Sequence, residues 1–334
     1  MGTLAGTGIN ETNERLSASL SRFQPKIADN IFKRQPLIEW VKKQKKTYNG
    51  GTEVKVRFRY TKGGKSGSAG GIKAFQYYDT LNVTPTDTIK TGRVIWKNLA
   101  APITISHEEL RENAGEKQFD RLKEKTNETM SLLSEDLNDI FWGVSAASQD
   151  LLPENVPNIV SGSDAGTIHG LSKASNTWLY SQEQTSVGDL ATNLIDKMRT
   201  GRNLCIDNAP SKQDKLDLWI TDRSVYEGFE DLMGPYLQYN KTGAVDLGFE
   251  QLIYTGVPVR FDSTCPLDSA SNHQMFGLMS KYWELAMDSD WDFKTTPFKD
   301  LLPYQAASAS QVIVRLALIN SNPRTNVRLS GITL

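Results

Sequence analysis

Cysteine and histidine are nearly missing from this chain, which has two of the first and three of the second in 334 residues. Cys205 and Cys265 lie far apart with no C-x-x-C spacing, so neither a disulfide framework nor a cysteine zinc site is indicated. His107, His169 and His273 are isolated, and none has the H-x-x-x-H spacing of a helical metal site. No stretch approaches 18 consecutive apolar residues, and MGTLAGTGINETNE lacks a basic segment followed by an apolar run. The expectation is therefore no transmembrane helix and no export signal. A net charge of −1 argues against a nucleic-acid or membrane binder that works through the charge of the whole chain.

Catalytic fingerprints are absent too. Neither G-x-G-x-x-G nor G-x-S-x-G occurs. Gly64-Lys65-Ser66 has the tail of a phosphate loop, but Arg59 stands where the leading glycine belongs and no helical pattern follows. Asp288, Asp290 and Asp292 alternate as on one strand face, yet Phe293 and Lys299 occupy the glycine and glutamate positions a calcium loop needs. Paired carboxylates such as Glu108 and Glu109 fit a hydrolase, but a helix start explains them. No enzyme activity, metal or cofactor is expected.

What is present is a soluble globular composition, 38% hydrophobic and 23% charged, whose length suggests about two domains. Charge is unevenly spread. Between Glu53 and Lys97 nine lysines and arginines face three acids, so that segment carries +6 and the remainder −7. The longest helical pattern runs from Glu116 to Trp142, with Phe119, Leu122, Met130, Leu133, Leu137 and Ile140 at helical spacing and Gly143 as the stop. At 1.5 Å per residue it spans about 40 Å, longer than a compact core of this size needs. Ser106 and Glu109 precede it with capping-box spacing.

Before that helix, Met1 to Asn13 reads as a polar arm, and Glu14 to Tyr48 as two helical pieces separated at Pro36. Lys42, Lys43, Lys45 and Lys46 form either a nucleic-acid patch or the dipole partners of a helix C-terminus. After Asn49-Gly50-Gly51, EVKVRFRY alternates as a strand, with Val54, Val56 and Phe58 on one face and Lys55, Arg57 and Arg59 on the other. TKGGKSGSAGG reads as a loop tip and Arg93 to Trp96 as a returning strand, followed by Pro102 and the long helix. Such a hairpin is too extended to bury Val54, Val56, Phe58 and Ile95 in its own subunit, so it must lie on another. Residues 145–180 read as loops over a core. Strand and helix signals then alternate from Leu190 to Phe261, and strands return at Gln274–Leu278, Tyr282–Met287, Trp291–Phe293 and Val312–Ile319.

Several runs carry a resemblance. DNIFKRQPLIEWVKKQKKTYNGGTEVKV, YYDTLNVTPTDTIKTGRVIWKNLAAPITISHEELRENAG, IHGLSKA, PVRFDSTCP and VIVRLALINSNPRTNVRLSGI resemble, in order, landmarks of the major capsid proteins of tailed bacteriophages. The resemblance implies an α+β fold with an N-arm (1–48), an extended E-loop hairpin (49–104) and a peripheral domain with a long spine helix (105–185). An axial α/β domain (186–267) and return strands belonging mainly to the peripheral domain (268–334) complete it. It implies self-assembly in the host bacterial cytoplasm into hexamers and pentamers of an icosahedral virion shell, enclosing non-specifically packaged double-stranded DNA. A portal, a decoration protein and a separate scaffolding protein are its implied partners, the last because the fold-like pattern begins within about 26 residues of Met1. It implies no membrane. It also places the E-loop across a neighbour's peripheral domain, which makes Lys55, Arg57, Arg59, Lys62 and Lys65 candidate inter-subunit contacts, received by Asp288, Asp290 and Asp292. Two alternatives stay open. One is the shell of a bacterial encapsulated compartment. The other is a nucleic-acid-binding module using the basic hairpin, whose Phe58, Tyr60, Tyr77 and Tyr78 interleave with cations.

Overall fold

A computed structural model describes residues 35–61, 75–79, 87–108, 121–145, 149–211, 213–233, 252–301 and 305–334. Helix α1 (Pro36–Lys43) opens on a proline and buries Leu37, Ile38, Trp40 and Val41, with Lys42 and Lys43 in its last turn against the dipole. The other two lysines of that cluster are not helical. Lys45–Tyr48 is a strand, β1, which corrects the helical reading of this stretch; a run of lysines gives no period, and sheet pairing decides. The hairpin strands are β2 (Glu53–Arg59) and β3 (Ile89–Ile95), and β4 (Lys97–Ser106) follows at once. The long helix α2 is described over Arg121–Trp142; its expected start and Glu109 lie outside the described residues. Its end is as expected: Gly143 has φ +74°, its N–H donates to Ile140 O and that of Val144 to Asp139 O, the paired bonds of a Schellman cap.

Beyond it come α3 (Val156–Ile159), the short strands β5 (Thr167–Ile168), β6 (Leu171–Ser172), β7 (Gln182–Gln184) and β8 (Gly188–Asp189), and helix α4 (Leu190–Asp207). Asp189 caps α4 by accepting from the Thr192 N–H at 3.0 Å. Strand β9 (Leu218–Thr221), helix α5 (Arg223–Met233) and strands β10 (Leu252–Tyr254) and β11 (Val257–Phe261) complete the alternating segment. The last strands are β12 (His273–Leu278), β13 (Trp283–Asp288), β14 (Lys294–Thr295), β15 (Lys299–Asp300), β16 (Ala307–Asn320) and β17 (Val327–Thr333).

Two sheets organise these elements. One has the order β10-β11-β9-β12-β17-β7, with β8 also on β17; the other runs β1-β13-β16-β14, with β4 and β15 also on β16. The segment 268–334 supplies strands to both sheets: β12 and β17 join the first, β13 to β16 the second. Strand β4 departs from the expected order, in which the returning strand Arg93–Trp96 leads through Pro102 to the long helix. It pairs with β16 over ten positions, Pro102 opposite Gln311. The backbone of Gln311 bonds Thr296 on the other side, so the missing proline N–H falls on the free edge of β4 and costs no ladder bond.

Alternation along the strands makes layers. Leu285, Met287, Leu316 and Leu318 face α1 and α2 in one core, while Ala286, Ala317 and Ile319 face the hairpin base in another. In the first sheet Leu218, Ile220 and Phe276 join the α2 core, and Trp219 and Met275 face α4 and α5. The long helix is thus held where the two sheets share an apolar interior.

The acidic trio does not share a strand face. Strand β13 ends at Asp288, whose buried carboxylate accepts the Asp290 N–H at 3.0 Å and turns the chain. Asp288 also pairs with Arg315 at 3.1 Å, and Asp292 pairs with Lys45. Only Asp290 stays exposed.

Candidate inter-subunit surface

Strands β2 and β3 pair from Glu53 opposite Ile95 to Arg59 opposite Ile89 and form a two-stranded ribbon. Period-two geometry gives it two faces. Outward lie Lys55, Arg57, Arg59 and, from β3, Ile89, Thr91, Arg93 and Ile95, all exposed. Lys55 stands opposite Arg93, a repulsive cross-strand pair. Glu53 lies 3.7 Å from one and 4.0 Å from the other. Among the described residues Arg57 and Arg59 have no acidic partner. Lys62 and Lys65 lie outside the described residues. Tyr77 and Tyr78, on the return, are fully exposed.

The inward face overturns one expectation. Val56 and Phe58 are buried at 8% and 4% exposure within this chain, packed with Val94 and Trp96 against Ile168, Leu179 and the sheet. The ribbon's base is anchored in its own subunit, because the 149–180 loops rise to meet it. Ile95, 63% exposed, is not covered.

His169 joins ribbon to body, and nothing in its isolated position in the sequence announces that role. Its ring stacks on Phe58, centroids 6.0 Å apart, and its carbonyl accepts the Arg93 N–H at 2.7 Å. Its own N–H donates to Glu154 Oε1 at 2.6 Å. Nδ1 lies 3.0 Å from Glu154 Oε2, and Nε2 lies 3.0 Å from Asn320 N. Gly92 lets the strand come close here: a Cβ would stand 3.0 Å from the His169 carbonyl and from the Phe58 ring, a tight contact to which those neighbours would have to give way. Arg315 adds a second tie, donating to Gly51 O at 2.7 Å with its guanidinium over Trp96.

Within the 149–180 loops Lys173 is fully buried, its Nζ donating to Asn158 O. Burial lowers its pKa to about 8, against the pull of Glu183. The unfolded lysine, titrating near 10.5, binds the extra proton between these values, so this group makes stability rise with pH from about 8 upward, and its full cost is present below. Above about pH 9 the buried thiols of Cys205 and Cys265, both pushed up by desolvation, act oppositely. A difference measurement isolates the lysine. Relative to Lys173→Met, the wild type is expected to gain up to about 2 kcal/mol between pH 8 and 10 in denaturant melts; a pH-independent difference contradicts this.

A second charged surface lies on α2. Glu128, Leu132, Glu135, Asp136 and Asp139 share the face opposite buried Leu133 and Leu137. From Thr126 to Trp142 there are four acids and no base, although carboxylates near a helix C-terminus oppose the dipole. Glu128, Glu135 and Asp136 have no cationic partner among the described residues, and Leu132 is 46% exposed between them.

No cluster of histidine, cysteine and carboxylate able to hold a metal occurs among the described residues, and no described helix is long and apolar enough to cross a membrane. Cys265 sits near Asp222 and Asp262, and burial with those carboxylates pushes its thiol up, the reverse of what a nucleophile needs.

No family model and no curated protein matches the sequence. Solved structures do. The capsid of cyanophage A-1(L) aligns with TM-score 0.67 at 14% identity, covering 96% of this chain and 99% of that one. The capsid of an empty GTA particle gives 0.62 at 12%, over 100% and 99%. The SrpI encapsulin complex of Synechococcus elongatus gives 0.58 at 10%, over 95% of each. Each likeness runs nearly end to end in both chains. The chain therefore has the fold of the tailed-phage major capsid proteins, a fold it also shares with an encapsulin.

Proposed function

We propose that this chain is a structural subunit that self-assembles, as hexamers and pentamers, into an icosahedral viral shell around double-stranded DNA, with no reaction of its own. The observation that carries the reading is the ribbon: a rigidly anchored face bearing Lys55, Arg57, Arg59 and Arg93 beside exposed Ile89 and Ile95, with too few acids of its own to balance it. Its occupant is a second copy, whose α2 stripe has the opposite charge. Lys55 to Arg59 spans about 14 Å at strand rise and Glu128 to Asp139 about 16 Å at helix rise, so the two charge runs match in length. Asp290 is a further acceptor. A scaffolding protein, a portal and a decoration protein belong to the same reading, as does assembly in a bacterial cytoplasm.

Exposed ion pairs are worth about 0.2 to 1 kcal/mol each, so the effect comes from several pairs repeated at every subunit contact. Arg57→Glu with Arg59→Glu is expected to block particle formation, and Glu128→Lys with Glu135→Lys and Asp136→Lys to do the same. All five together are expected to restore it. Negative-stain images of each variant expressed in bacteria decide; normal particles from either single-surface variant remove the electrostatic contact. A compartment shell is the second reading, favoured by the encapsulin likeness. Nuclease-protected DNA inside particles supports the viral shell, and a protein cargo without DNA the compartment.

A further inference from the structure

The joint between β1 and the ribbon carries the sequence's only Asn-Gly pair, Asn49-Gly50. We propose that this pair modifies itself: Asn49 closes on the Gly50 nitrogen, sheds ammonia and reopens with water as aspartate or isoaspartate at the root of the ribbon. Three observations converge there. Residues 49 to 52 are all exposed, so water reaches the site. Neither the Asn49 side chain nor the Gly50 N–H has a hydrogen-bond partner among the described residues, so both reacting groups can move. Gly50 sits at φ +63°, and a Cβ built on it would meet nothing within 4 Å, so neither a side chain nor a neighbour shields the attacking nitrogen. Asn320, also followed by a small residue, Ser321, is the contrast: it is fully buried and its Oδ1 accepts the Asn322 N–H at 2.9 Å.

The chemistry needs only water. The Gly50 nitrogen gives up its proton to a solvent base and bonds to Asn49 Cγ; the Cγ–Nδ2 bond breaks, and ammonia leaves with a proton from solvent. The product is a cyclic imide. Water then adds to either imide carbonyl. Breaking the bond from nitrogen to Cγ gives aspartate in a normal chain. Breaking the bond from nitrogen to the main-chain carbonyl carbon gives isoaspartate, whose chain runs through Cβ and Cγ. Nothing is oxidised or reduced.

The joint is held at both ends. Tyr48 pairs with Asp288 in the sheet and its carbonyl accepts the Ser289 N–H at 2.9 Å, while Glu53 pairs with Ile95 in the ribbon. Between them Arg315 donates to the Gly51 carbonyl at 2.7 Å and pairs with Asp288 at 3.1 Å. Isoaspartate inserts an extra backbone atom into this short span, and either product adds a negative charge. The Gly51 carbonyl, tied only through Arg315, is the part that gives way, and the root of the ribbon then loses that bond.

Peptide mass spectrometry of the purified full chain, held dilute at physiological temperature and mildly alkaline pH, tests this apart from the shell reading. The peptide containing residue 49 is expected to gain about 1 Da and to split into two isomers, ahead of the other asparagines. The rate should rise with pH, because the attacking nitrogen must lose its proton. The folded chain should react within about tenfold of the rate of the same chain unfolded in urea, since the joint is already open. Gly50→Ala is expected to slow the reaction at least about tenfold by crowding the nitrogen, and Asn49→Ser to abolish it. In the isoaspartate fraction, amide exchange at Val54 and Val94, which pair at the root of the ribbon, is expected to quicken about tenfold. The proposal is overturned by an Asn49 that stays intact in the folded chain, by an unchanged rate in Gly50→Ala, or by isoaspartate that leaves both amides as protected as before. None of these results depends on whether particles form.

Discussion

Leu133→Pro is expected to abolish folding and particle formation together. Leu133 is 4% exposed in the middle of α2. Proline there removes an interior N–H and clashes with the carbonyl one turn back, costing about 3 kcal/mol or more. Loss of the leucine side chain from the core adds about 2 to 5 kcal/mol. Their sum rivals the whole stability of a typical domain, about 5 to 15 kcal/mol. The helix carries side chains of the core shared by α1, β4, β13 and β16, so no part of that core survives its loss. Leu132→Ala, one residue away but 46% exposed, is expected to change stability by less than about 0.5 kcal/mol. Soluble yield and far-UV circular dichroism separate the two, and a Leu133→Pro protein that melts cooperatively contradicts the place given to the helix.

The second large effect is local. Phe58→Ala removes a ring at 4% exposure that touches His169 and Trp178, a loss of about 3 to 5 kcal/mol for a buried phenylalanine. The ribbon has only two strands, and such a hairpin is marginal on its own. The cost therefore falls on the ribbon: its amides should lose exchange protection while the two sheets still unfold cooperatively. Assembly should fail because the cationic face is no longer held in one direction. A variant that keeps ribbon protection and forms particles would show that the anchoring core does not orient the ribbon.

The ribbon was legible because charge and apolarity alternate without a slip from Val54 to Arg59, and because no other period fits that run. The end of the long helix was legible for a similar reason, since a glycine following a helical pattern has one common use. Where the sequence misled, long-range pairing decided. Nothing in KKTY asks for a strand until β13 lies beside it, and Pro102 breaks nothing on an edge. The acidic trio failed because Asp288 turns the chain with its own carboxylate, so spacing by two ceased to mean one face. His169 was hidden differently: its ring meets Phe58 and Asn320, each more than a hundred positions away, and composition is blind to that.

Sedimentation velocity of the purified full-length chain, followed from low to high micromolar concentration with negative-stain images of the same samples, bears most directly on the claim that this is a shell subunit. The account predicts a concentration-dependent shift from slow species to rings and closed particles of megadalton size, weakened by added salt because screening acts on the ribbon's cations. A single monomeric boundary at every concentration and salt would contradict it.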